Sequence, residues 1–133
     1  MRRSSSLRLP ADLSSASRAR TFVGQTLSGH VDDLAAVMLM TSELVTNVAL
    51  HANTEMTVTV HEGPPVRVEV HDGVAATEAF REIVMVGRSL PDASAVSGRG
   101  LQLVRAMSTR VGLDDDPDGG KVVWFELDPD PQA

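Results

Sequence analysis

Cysteine is absent from the 133-residue chain. Its absence excludes a disulfide framework, a thiolate nucleophile and any Cys-based metal site. Aromatic residues make up only 3% of the chain, so a core must be built from Val, Leu, Met and Ala. No apolar run approaches the roughly 20 residues of a membrane span. No signal peptide is evident, because residues 4–20 are rich in Ser and Arg and lack an apolar central segment. No internal repeat is visible. An excess of basic charge is also lacking: the formal net charge is −6, and Met1-Arg2-Arg3 is too short to reverse it. That balance argues against nucleic acid as the main partner, since phosphate binding needs a basic surface. What is present is a chain that is 42% hydrophobic and suits one domain with one core. Nothing in it forbids a reducing cytoplasm. Residues 1–6 and 128–133 read as frayed ends.

The hydrophobic period divides the chain. Asp12 can cap a first helix, in which Leu13, Ala16, Val23 and Leu27 share one face with Arg20 at its edge. Ser28-Gly29-His30 reads as a break. A second helix begins near 31–33, with Leu34, Val37, Met38, Thr41, Leu44, Val45, Val48 and Ala52 as its buried stripe. After Asn53 the period becomes two: Met56, Val58 and Val60, then a Gly63-Pro64-Pro65 turn, then Val66, Val68 and Val70. This is a hairpin with one buried face. Residues 74–97 form a long segment with a short helix around 77–84, the kind of loop that carries function. A helix at 101–109, a strand at 111–115, a turn at 116–120 and a strand at 122–127 complete the order α-α-β-β-loop-α-β-β. Such an order predicts helices on one face of a largely antiparallel sheet.

Three features in this frame can carry chemistry. Glu43 and Asn47 stand four apart in ELVTNVALHA and point the same way, on the far side of the buried stripe. They can be a solvated helix face, or a carboxylate that polarises a hydroxyl beside an amide ligand for Mg²⁺. Gly98-Arg99-Gly100 precedes the helix at 101–109. It can be a plain turn, or a close backbone approach to an anion at a helix N-terminus. Asp72-Gly73 follows a strand directly. It can be a turn, or an acceptor for an amine.

The order of these features resembles the GHKL (Bergerat-fold) ATPases, and more closely their small anti-sigma-factor serine kinase branch. ELVTNVALHA resembles the N box, GRGLQLVRAM the second glycine box and GGKVVWFEL the last strand. The resemblance spans nearly the whole chain and implies a two-layer α/β sandwich on a mostly antiparallel mixed sheet, forming one domain over 1–133. It implies Glu43 as general base and Asn47 as Mg²⁺ ligand, with His51 in the same box. It implies Asp72 and Gly73 at the adenine, and Gly98, Arg99, Gly100 and Leu101 bordering the triphosphate of ATP. Residues 74–97 would be the ATP lid. The partners implied are a sigma factor, an anti-anti-sigma (STAS-domain) protein and a second copy of the chain.

Two positions depart from the pattern. The first glycine box is usually Asp-x-Gly-x-Gly or Asp-x-Gly-x-Pro, whereas this chain has Asp72-Gly73-Val74-Ala75-Ala76. Where the last strand usually keeps a Thr that helps hold the Asp, Val122 stands. The competing reading is therefore a non-catalytic binding protein with a degenerate pocket.

Overall fold

The computed structural model describes residues 3–87 and 95–129. Strict alternation builds its sheet. In β2 (Met56–His61) and β3 (Val66–Asp72) every second residue is buried. The two pair antiparallel, with Val58 opposite Val70. β5 (Lys121–Leu127) pairs with β3, and β4 (Arg110–Asp115) pairs with β5. A further strand, β1 (Ser4–Leu9), pairs with β2 at the edge. The spatial order is β1-β2-β3-β5-β4, and every pairing is antiparallel. The mixed character expected of the sheet is thus not found among the described residues.

β1 also corrects the reading of residues 4–6 as a frayed end. Ser4-Ser5-Ser6 has no strand signal of its own. An edge strand, however, needs only one neighbour, and here β2 supplies it, with Ser6 Oγ 2.9 Å from Thr59 Oγ1. Leu9, 1% exposed, anchors the end of the strand in the core.

Among the described residues, four helices cover one face of the sheet. α1 (Ser15–Leu27) buries Ala16, Ala19, Val23 and Leu27. Arg20 lies at its edge, as expected, and donates to Ser42 Oγ at 2.9 Å. Leu13 does not join that face. It precedes the helix and is 58% exposed, because Asp12 turns the chain there by accepting from Ser14 N. α2 (Leu34–Asn47) is capped by Asp33, whose Oδ1 accepts from Ala36 N. It runs on into a π-helical turn (Val48–Ala52) that ends at Asn53 in the left-handed region, φ 53°.

Together Leu34–Ala52 make 19 residues, apolar and long enough by composition to cross a membrane. This corrects the expectation that no such run exists. Here the segment is the central helix, packed against α1, α4 and the sheet. Its Val37, Met40, Leu44 and Val45 meet Val58, Val68, Val70 and Phe125 in one core. Each such side chain contributes about 1.5–3 kcal/mol by leaving water.

α3 (Glu78–Met85) is capped by Thr77, whose Oγ1 accepts from Phe80 N at 3.1 Å. α4 (Ala95–Met107) packs on α2. The segment 74–97 is therefore helical at both α3 and the start of α4, and 88–94 lie outside the described residues.

Among the described residues, the opposite face of the sheet carries a charged network instead of helices. The Arg67 guanidinium lies 4.1 Å from the centre of the Trp124 ring and pairs with Glu69 and Glu126. Hydrogen bonds from Arg110 first, and Arg67 second, hold the Glu126 carboxyl below the usual carboxylate range.

Candidate functional site

A cavity of about 140 Å³ opens between the two layers where α2 gives way to its π-helical turn. Apolar side chains make most of its wall, with Leu44 and Val48 above and Val70 and Val123 below. Three buried polar groups interrupt that wall: Asn47, Asp72 and Lys121.

Strand alternation explains two of them. Asp72 is the last inward residue of β3, and the register sets it opposite Lys121, the first inward residue of β5. Asp72 is 3% and Lys121 7% exposed. Lys121 Nζ stands 3.0 Å from Asp72 Oδ2, 3.1 Å from Oδ1 and 3.0 Å from the Val74 carbonyl. Asp72 Oδ1 also accepts from Val74 N at 2.8 Å. The Phe80 ring covers the ammonium, with its centre 5.0 Å away. Paired this way, two charges in an apolar wall are each compensated.

Asn47 belongs to the last turn of α2. It is 9% exposed, and its Nδ2 is buried without a hydrogen-bond partner among the described residues. A buried donor left unmade costs about 1–3 kcal/mol. A ligand with acceptor atoms in the cavity relieves that cost. Glu43, one turn earlier, is half-buried and lies outside the cavity lining. It meets α4 at Gly100: a Cβ on that glycine would fall 2.7 Å from Glu43 Oε2. Asn47 is thus buried at the cavity and Glu43 half-buried beside α4, so neither lies on a fully solvated helix face.

The remaining sequence-derived residues divide. Leu101, 2% exposed, lines the cavity, and His51 stands exposed at its rim. Gly98, Arg99 and Gly100 do not precede a helix; they lie within α4, which starts at Ala95. From Arg99 onward, N–H groups lie beyond the first four that a helix leaves unpaired, so the helix-terminus argument does not apply to them. Gly100 instead allows the close contact with Glu43, and Arg99 is exposed. Gly73 is exposed and outside the cavity lining; its N–H donates to Thr54 Oγ1 at 2.9 Å, closing the turn after β3.

Val122 faces the opposite way. Lys121, Val123 and Phe125 point into the core, so Val122 lies half-buried on the outer face, between His71 and Asp114. The residue that meets Asp72 is Lys121, which sequence reasoning passed over. Its signal was present in the strand: counting back by twos from Phe125 reaches Lys121. A Val122→Thr exchange is accordingly expected to leave nucleotide affinity unchanged within about 0.5 kcal/mol, as for other substitutions away from a site. Calorimetric titration of the variant with ATP checks this.

No cluster of three or more His, Asp or Glu side chains suited to a metal occurs among the described residues. A cation here would have few protein ligands, the usual situation of Mg²⁺ held mainly by phosphate oxygens and water. Asn47, which lines the cavity, would serve that role through its amide oxygen, while its unpartnered Nδ2 would donate to a phosphate oxygen of the ligand.

Among the described residues, a five-stranded antiparallel sheet with helices on one face, and a largely apolar cavity carrying three buried polar groups between the layers, make an α/β sandwich consistent with the GHKL ATPase type. The sequence agrees: the family model of the histidine kinase-like ATPase domain matches residues 9–127, and the chain belongs to that family. The match takes in every element except β1. Membership makes it an ATP-binding domain, of a kind that usually takes its nucleotide with Mg²⁺. No curated protein matches the chain.

Proposed function

We propose that the chain is an anti-sigma-factor-type regulator. It binds ATP with Mg²⁺, phosphorylates a serine on an anti-anti-sigma (STAS-domain) partner and sequesters a sigma factor. The observation that carries this reading is the buried, unpartnered amide of Asn47 in the cavity, one turn from a Glu43 held against α4 at Gly100. A ligand with an acceptor atom in the cavity would give that Nδ2 a partner.

In this reading Asn47 holds the metal and Glu43 accepts the proton of the serine hydroxyl that attacks the γ-phosphorus. Mg²⁺, when bound, offsets phosphate charge. The missing side chain at Gly100 leaves room for the carboxylate beside α4, and phosphoryl transfer depends on such positioning. The chain would act in the cytoplasm as a homodimer, without binding nucleic acid, in keeping with its net charge of −6.

A second reading, sequestration without transfer, is favoured by one observation: Lys121 already engages Asp72 at the base end. Incubation with labelled ATP, Mg²⁺ and a panel of STAS domains separates the two. Phosphoserine on a STAS protein is the expected result. Nucleotide binding with no transfer to any of them would leave the sequestration reading in its place.

A further inference from the structure

Lys121 is the only lysine in the chain; the other permanently charged basic residues are arginines. Lysine is among the residues least often buried, yet this one is 7% exposed. Its three N–H donors match three acceptors: Asp72 Oδ1, Asp72 Oδ2 and the Val74 carbonyl. Asp72, for its part, accepts from the ammonium with both oxygens and from Val74 N. The buried carboxylate is therefore satisfied with no ligand present.

We propose that Lys121 is a built-in competitor for the nucleotide base, its ammonium holding on Asp72 the positions that a base amino group needs. The proposal rests on the nucleotide reading of the cavity. The physical argument concerns exchange. An amine entering an empty acceptor site gains a charge-assisted hydrogen bond. An amine entering this site trades one donor on Asp72 for another, and must also strip the ammonium of its partners in a low-dielectric wall. The carboxylate thus gives the base little net affinity, and the phosphates and metal at Asn47 dominate binding. Displacement also frees the Val74 carbonyl, so base entry loosens the start of the segment that leads to α3. Lys121 is in this sense a specificity-determining residue: it lowers preference for the base without closing the phosphate end.

A single lysine gives a single reporter. The unmodified protein, labelled with ¹³C,¹⁵N-lysine and ¹⁵N-asparagine, is titrated with Mg²⁺–ATP and, separately, with Mg²⁺–tripolyphosphate, which has no base. The lysine side-chain resonances are expected to move at saturation with ATP and to stay in place with tripolyphosphate. Lysine resonances that stay in place at ATP saturation, while the Asn47 amide shifts, would overturn the proposal and leave the nucleotide site standing. No shift anywhere with either ligand would remove the nucleotide reading and this proposal with it.

A second measurement uses Lys121→Met, which keeps the stem and removes the charge. ATP affinity is expected to rise by about tenfold or more, the equivalent of one hydrogen bond to a charged group. Tripolyphosphate affinity should stay the same. Equal ATP affinity in the folded variant and the parent would count against the competitor role. Should the variant not fold, the titration of the unmodified protein still decides.

Discussion

Replacing Glu43 by Gln is expected to slow phosphoryl transfer by about 10²–10⁴-fold, the range of a positioned general base. Nucleotide affinity should stay nearly unchanged, because the amide keeps the shape of the carboxylate against Gly100 and loses only the ability to take a proton. The companion change, Asn47→Ala, is expected to abolish Mg²⁺-dependent transfer, since the metal loses its one proposed protein ligand. Its stability should not fall with its activity. The parent holds a buried Nδ2 without a partner among the described residues, and removing it is expected to relieve about 1–3 kcal/mol while Ala favours the helix. A gain in stability paired with a loss of function marks a site residue rather than a structural one. Rate assays and thermal unfolding on the same preparations check both. Unchanged rates in both variants would return the pair to the role of ordinary helix packing.

The largest loss of stability is expected from Gly120→Ala. A Cβ there would lie 2.1 Å from the Asp72 carbonyl oxygen, a backbone atom in the adjacent strand that cannot swing away. The strands must separate where Asp72 and Lys121 face each other. Overpacking and a disturbed buried ion pair together cost about 3 kcal/mol or more. Gly100→Ala is the contrast. Its new methyl meets the far end of Glu43, which can turn aside, and Ala gains roughly 1 kcal/mol of helix propensity. That variant should unfold at the same or higher urea concentration than the parent while losing transfer activity. Equal stability of the two variants would contradict the packing described around Asp72.

Much of the fold was legible because burial imposes a period. The β2–β3 hairpin and the α2 stripe follow from alternation and helical spacing alone. β1 was not legible, because Ser4-Ser5-Ser6 carries no pattern and is held by β2 through a contact remote in sequence. The start of α4 was misplaced because glycines read as a turn, whereas here one of them lets two helices approach. Asn47, Leu101 and Asp72, singled out by motif order, all line the cavity, since motif order survives local irregularity. Lys121 was missed by one residue in β5. In a strand a shift of one reverses the face, so a small error in sequence sent attention to Val122, on the outer face of the sheet.

The central claim, that the cavity at Asn47 is a nucleotide–metal site, is tested most directly by calorimetric titration of the chain with ATP, with and without Mg²⁺. The account predicts one nucleotide per chain, bound more tightly with Mg²⁺ than without, and a Mg²⁺ effect that disappears in Asn47→Ala. Absence of binding at millimolar ATP and ADP, or a Mg²⁺ effect that persists in Asn47→Ala, would contradict it.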